Sequence, residues 1–376
     1  MKLPYYKSLD GLRGIAAMLV VIFHFYSYPN GYYSADDYSL FKEISAIGQH
    51  GVSLFFVLSG FVITRILIHN KASSTYFSAF FLKRILRIAP LYYLFLVFWF
   101  FVLPFIIHVP EVPLMTQLPY YIYLQNIFST FGFPLSGPPH FWSLAVEEHF
   151  YLVWPMVVFY VPVNQLGKVI GVGILLSFVL KYIMIQNKLP IHDFTLTRMD
   201  QILMGSWLSL AELKGQLKRQ SVRHFMKLAM LAIPFALMTY LLGSHFHFIK
   251  ELFKYSLLGI AFTSLIAIVL SLKPTAIVNR FLTTRVLQYM GKISYGIYVW
   301  HVIALILLQF FLLTKIMLVD MLITIAITML LAHVSYFYFE SYFIRLKNRP
   351  LTSQGFRLPG DKLFSLLHVF TRAWKI

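Results

Sequence analysis

Cysteine is absent from all 376 residues, which excludes disulfides, thiolate metal ligands and any acyl intermediate carried on a cysteine sulfur. Acidic residues are scarce: 14 Asp and Glu stand against 32 Lys and Arg, and charged residues of both signs make up only 12% of the chain. So few charges cannot cover a water-soluble fold in which 59% of residues are hydrophobic and 18% aromatic. Also missing are a polar linker long enough to separate domains, a repeat at a fixed period and any low-complexity run. What remains is one helical membrane domain.

Apolar segments of spanning length fall near 12–28, 47–68, 90–109, 143–162, 166–183, 200–213, 227–243, 255–272, 293–313 and 321–340. They predict an all-α polytopic membrane protein of about ten transmembrane helices. LPYYIYLQNIF at 118–128 is too short to cross and reads as an interfacial or re-entrant piece. Lys2 and Lys7 ahead of the first apolar run are compatible with a secretory signal, but the run leads into YSYPNGYYS with no small-residue cleavage site. The first segment is therefore expected to stay as a helix.

The basic excess reads first as a topology signal and not as a nucleic-acid footprint. Alternate loops and the two ends hold 25 of the 32 Lys and Arg, and the opposite loops hold the other 7. Both termini are therefore expected to be cytoplasmic, and an even number of spans agrees with that. Residues 1–340 form the expected membrane domain, and 341–376 a basic cytoplasmic tail able to lie on the inner leaflet.

Ionisable residues inside an apolar span face the bundle interior and mark functional paths. Three groups of them stand out. In LDGLRGIAAMLVVIFHFYSY, Arg13 and His24 are eleven residues apart, a rotation within roughly 20° of three full turns and a rise of roughly 16 Å. They share a helix face, with Arg13 at the mouth, His24 deep, and Asp10 one turn below Arg13 as a possible ion partner. In FFLKRILRIAP, Arg84 and Arg87 lie on one face of a turn ended by Pro90. Two adjacent guanidiniums suit phosphate oxygens, although a snorkelling pair at the bilayer surface carries the same signature. In HFWSLAVEEHFYLVWP, residues 140–155, Glu147 and Glu148 enter a span at the depth expected for His24. A carboxylate there is placed to orient the histidine and raise its basicity.

Taken in order, these stretches resemble the acyltransferase-3 family of membrane acyltransferases. The likeness runs through SLDGLRGIAAMLVVIFH, GVSLFFVLSGFVIT, the pair Arg84 and Arg87, FWSLAVEEHFYLVWP, TRMDQILMG and GKISYGIYVWH. It implies a ten-helix inner-membrane enzyme that takes an acyl group, commonly acetyl, from cytoplasmic acyl-CoA and places it on a sugar hydroxyl of a surface glycan or lipid-linked precursor. Some relatives carry an extracytoplasmic SGNH hydrolase-like domain after the tenth helix; this chain stops about 36 residues past it, which suggests a one-component enzyme. On this reading Arg13, Arg84 and Arg87 hold the coenzyme A phosphates. His24, aided by Glu147 and Glu148, is general base or transient acyl carrier. No metal is required.

Other residues are candidates for substrate or structural support. Arg198 and Asp200 match the family's RxD and are expected to form an ion pair; His301 is expected to be a donor between helices. Trp142, with Tyr120, Tyr121 and Tyr123, is placed either to stack on a sugar or to form an interfacial aromatic belt. Ser53, Ser59 and Gly60 read as close-packing residues. The expected partners are the lipid bilayer and a glycan or lipid-linked sugar, with no nucleic acid; a homo-oligomer is compatible with the chain. The alternative reading is a secondary transporter or flippase, which also wants buried His and Glu. It has no need of an arginine pair set for phosphate.

Overall fold

The computed structural model describes residues 3–27, 47–110, 112–241 and 247–347, and among them there is no strand. Among the described residues, seven helical segments are long and apolar enough to cross a membrane by length and composition: Lys7–Ser27, Gly48–Asn70, Tyr76–Ile107, Val163–Gln186, Phe248–Ser271, Ser294–Leu312 and Met317–Leu346. The protein is a multi-pass helical membrane protein.

The helices used below are α1 (Lys7–Ser27), α2 (Gly51–Asn70), α3 (Tyr76–Val97), α4 (Leu114–Tyr121), α5 (Gln125–Thr130), α6 (Trp142–Tyr160), α7 (Val163–Gln186), α8 (Thr195–Leu213) and α9 (Val222–Leu241). There follow α10 (His247–Ser271), the short α11 (Ile277–Leu282) and α12 (Arg285–Lys292), then α13 (Ser294–Leu307), α14 (Met317–Val334) and α15 (Ser341–Lys347). Three of the expected spans, matched by α6, α8 and α9, are not among the seven apolar segments. For α6 and α8 the reason is chemical. Glu147 and Glu148 in α6, and Arg198, Asp200 and Glu212 in α8, lower an apolarity that the interior nevertheless accommodates.

Two expectations change at α3. Pro90 does not end the arginine-bearing turn: the helix runs through it to Val97 and continues by a π turn at Phe98–Val102 into Leu103–Ile107. Proline removes one N–H and crowds one carbonyl, but flanking turns and neighbouring helices carry the helix past that gap. Arg84 and Arg87 therefore sit within a long spanning segment and not in a loop before it. The piece at 118–128 is, as expected, too short to cross, and is divided between α4 and α5. The helical run from α14 passes through Glu340 into α15; the expected basic tail beyond residue 347 lies outside the described residues.

Small residues let the central helices touch backbone to backbone. A Cβ on Gly60 of α2 would stand 1.8 Å from the Ile202 carbonyl oxygen, and one on Gly205 of α8 would stand 2.0 Å from that of Val57. Only glycine permits this crossing. At the other side of the bundle a Cβ on Gly291 would stand 2.0 Å from the Asp10 oxygen, so α1 rests directly on α12. Helix α1 is thus held along its length, and the positions of Arg13 and His24 are fixed with it.

Candidate active site

The start of α1 is anchored by charge. Arg13 bridges to Asp10 at 3.2 Å, as the spacing predicts, and the Tyr5 hydroxyl also donates to Asp10. One residue on, the Tyr6 hydroxyl donates to Glu212 (2.6 Å), which also pairs with Arg65 (2.6 Å). Burial, then the bond to Glu212, raises the Tyr6 phenol to about 12, so it remains a donor at any physiological pH.

Above this anchor lies a cavity with about 770 Å³ of empty space, counting the part open to solvent. It brings together Arg13, Arg84, Arg87, Glu147 and Glu148 from α1, α3 and α6. Those five are separate candidates in the sequence. Arg84 and Arg87 are half-buried, and neither has a hydrogen bond or ion pair among the described residues. The guanidinium of Arg84 lies 5.0 Å from the centre of the Tyr151 ring. The carboxylate of Glu147 is committed: it accepts from Ser59 at 2.8 Å and from Tyr151 at 2.7 Å. Glu148 accepts no hydrogen bond among the described residues. Ser59, expected to serve close packing, thus lines the cavity and holds a carboxylate. The hydroxyl of Tyr295 donates to the Ile88 oxygen at 2.9 Å, pinning α13 against α3 one residue after Arg87.

His24 does not line this cavity. It is half-buried, and its Nδ1 stands 2.9 Å from the Val20 oxygen and 3.2 Å from Nε2 of His301. Among the described residues His24 makes no bond to a carboxylate, and Glu147, the expected partner, is taken up by Ser59 and Tyr151. Tyr298 separates the two regions. It lines the cavity, donates to the His140 oxygen at 2.6 Å, and its ring centre is 5.7 Å from that of His301. His301 is fully buried and its Nδ1 lies 2.6 Å from the Tyr298 oxygen. His140 packs edge-on against His301, with ring centres 4.8 Å apart.

Arg198 and Asp200 do not pair. Two positions apart on α8, their side chains leave the helix on different faces. Asp200 instead pairs with Lys181 of α7 at 2.5 Å, both side chains being sealed from solvent, and accepts from Ser256 at 2.7 Å. The Arg198 guanidinium lies 3.7 Å from the centre of the Tyr255 ring and 5.6 Å from that of Trp142, and donates to Ser53 at 3.2 Å. Trp142 is half-buried and faces His192, with ring centres 4.6 Å apart. Tyr120 and Tyr123 turn inward: Tyr120 is buried, and its carbonyl accepts from Tyr92, whose ring stacks on Tyr123 at 4.2 Å. Tyr120 is thus closed to a sugar, and one face of the half-buried Tyr123 is taken by Tyr92.

A family model, the acyltransferase domain numbered 3, matches residues 6–338. The chain belongs to the acyltransferase-3 family. Among curated relatives, the peptidoglycan O-acetyltransferase OatA of Listeria monocytogenes is 28% identical over 322 residues, covering 79% of this chain and 49% of that protein. The O-acetyltransferase OatA of Staphylococcus aureus is 28% identical over 380 residues, covering 94% and 58%. YrhL of Bacillus subtilis is 28% identical over 390 residues, covering 96% and 57%. The chain thus spans about half the length of the curated relatives it matches. No solved structure matches it.

In this acyltransferase-3 chain, sequence reasoning passes over His140, Tyr151, Lys181 and Tyr298. Each sits beside a residue that it singles out, and two have a visible signal. His140 opens the motif that carries Glu147 and Glu148, and Tyr298 lies one turn before His301. The partner of Asp200 has none, since a lone lysine in an apolar run looks like a snorkelling residue.

Proposed function

We propose that this chain is a membrane O-acetyltransferase that moves an acetyl group from acetyl-CoA to a hydroxyl of a glycan, with peptidoglycan or a related surface polymer as acceptor. One observation carries the reading. Arg84 and Arg87, half-buried and without a hydrogen bond or ion pair among the described residues, border the same cavity as Arg13, Glu147 and Glu148. Holding two unpaired guanidiniums side by side in a helix bundle is costly unless an anion neutralises them, and paired forks fit phosphate oxygens. The relatives' printed activities agree with this and supply the glycan as acceptor class.

On this reading Arg84 and Arg87 hold the phosphates of the acyl donor, while Arg13 is steadied by Asp10. Glu147, held by Ser59 and Tyr151, and Glu148 line the same cavity without an ion pair to Arg84 or Arg87 among the described residues. Acyl-CoA, when bound, supplies the thioester carbonyl. His24, roughly 16 Å further along α1, takes the acceptor hydroxyl's proton and returns it to the leaving sulfur, as the ester bond forms and the thioester bond breaks. Trp142 and Arg198 flank the acceptor on the His24 side. On this reading ten spans, the last running to Leu346, leave both termini in the cytoplasm of a bacterium, with the residues beyond the last span forming a basic tail on the inner face of the plasma membrane.

Arg84→Ala and Arg87→Ala each remove donors to phosphate. Charge-assisted bonds of this kind contribute about 1.5–3 kcal/mol, so acetyl-CoA affinity should fall roughly ten- to a hundredfold. Titration calorimetry on the purified protein in lipid reads this directly. Unchanged affinity in both variants would make the arginines bilayer anchors. Reporter fusions after Arg349 should score cytoplasmic and fusions at Ser136 external; an external carboxyl end would overturn the proposed topology and the side from which acetyl-CoA enters.

A further inference from the structure

We propose that His301 is a positioning residue that, together with the Val20 oxygen, fixes the tautomer of His24, leaving His24 Nε2 bare to receive the acceptor's proton. The inference rests on the reading of His24 as the base, and deepens it. Carbonyl oxygens only accept. The 2.6 Å contact between His301 Nδ1 and the Tyr298 oxygen therefore places the His301 proton on Nδ1, and its Nε2 carries a lone pair. That lone pair lies 3.2 Å from His24 Nδ1, which is also 2.9 Å from the Val20 oxygen. Both neighbours of His24 Nδ1 are acceptors, so Nδ1 must hold the proton and share it between them. The opposite tautomer would set three lone pairs against one another and forfeit both bonds.

The arrangement is stiff. His301 is fully buried, and its ring is packed by Tyr298 at 5.7 Å and by His140 at 4.8 Å between centres. His140 is fixed in turn, with its Nε2 3.2 Å from the Val299 oxygen. When His24 takes a proton at Nε2, the resulting imidazolium keeps its Nδ1–H on His301 and Val20, so charge forms without any group having to move. His301 thus fills the orienting place that sequence reasoning gives to Glu147, with a neutral ring in place of a carboxylate.

The test uses the full chain in lipid nanodiscs, with histidine labelled with ¹⁵N in the ring. The signal of His24 is assigned by its loss in His24→Gln. It should show a protonated Nδ1 and a bare Nε2, and His301→Leu, which leaves Nδ1 only the Val20 oxygen as acceptor, should shift it part of the way toward the Nε2–H form. Transfer from labelled acetyl-CoA to peptidoglycan strands should fall roughly two- to tenfold in His301→Leu, the rate equivalent of one lost hydrogen bond. Acetyl-CoA affinity should be unchanged. His301→Gln, which keeps an acceptor near the Nε2 position, should recover most of the turnover, and His301→Leu should add no further loss in a His24→Ala background. An unchanged His24 spectrum in His301→Leu would overturn the inference, as would full turnover in that variant while His24→Ala is inactive. Near-normal turnover in His24→Ala would instead overturn the base reading, leaving the spectrum to decide the tautomer. Should His301→Leu fail to fold, His301→Phe, which keeps a packed ring but carries no acceptor, provides the same decision through the His24 spectrum.

Discussion

His24→Ala is expected to lower acyl transfer by about 10²–10⁴-fold, the usual contribution of a general base, while insertion and acetyl-CoA binding stay intact. The separation follows from geometry. The arginines that would hold the donor line a cavity to which His24 does not contribute, and Tyr298 stands between them. Truncating the imidazole removes one ring from the His140–His301 packing and one bond to His301, but leaves Gly11 and Gly14 of α1 seated on α11 and α12. The loss should therefore lie in turnover and not in donor affinity. A parallel thermal-unfolding measurement separates a missing base from a misfolded helix.

The second large effect concerns stability. Lys181 and Asp200 form a fully buried ion pair between α7 and α8. Removing one member strands a charge that the bundle cannot solvate, and losses of about 3–5 kcal/mol are typical when a buried pair is broken that way. Lys181→Met should therefore unfold at a markedly lower temperature in detergent than the parent, with less folded protein recovered from membranes. The double replacement Lys181→Met with Asp200→Leu should regain much of that loss, because an apolar pair of similar volume carries no desolvation penalty. Equal instability in the single and double variants would mean that shape, and not charge, governs the site.

How much of this is legible in the sequence depends on range. Apolar runs identify a helical membrane protein because their signal is local and cumulative. A hydropathy average undercounts α6 and α8, whose buried charges look like water-facing ones. The convergence of Arg13, Arg84, Arg87, Glu147 and Glu148 on one cavity is approached through expected depth, since charges in apolar surroundings tend to share an interior. Depth alone does not settle partners. Glu147 and His24 are expected to meet because they lie at similar heights, and instead Glu147 turns to Ser59 and Tyr151 while His24 meets His301. Residues 277 positions apart leave no periodic trace of such a contact. Arg198 and Asp200 are expected to pair only because they are close in the chain, a closeness that a helix converts into separation around its axis. The tyrosines near 120 match a surface belt by composition, but the aromatic stack of Tyr92, Tyr123 and Phe141 draws that segment into the core.

The most direct test of the central claim is acetyl transfer by the purified chain in lipid, supplied with radiolabelled acetyl-CoA and peptidoglycan strands. The account predicts alkali-labile label on the glycan, absent with His24→Ala, and requiring roughly ten- to a hundredfold more acetyl-CoA for half-maximal rate with Arg84→Ala or Arg87→Ala. Label transferred equally well by His24→Ala would contradict it. So would a parent protein that moves a lipid-linked sugar across the bilayer while forming no ester, which is the behaviour of a flippase.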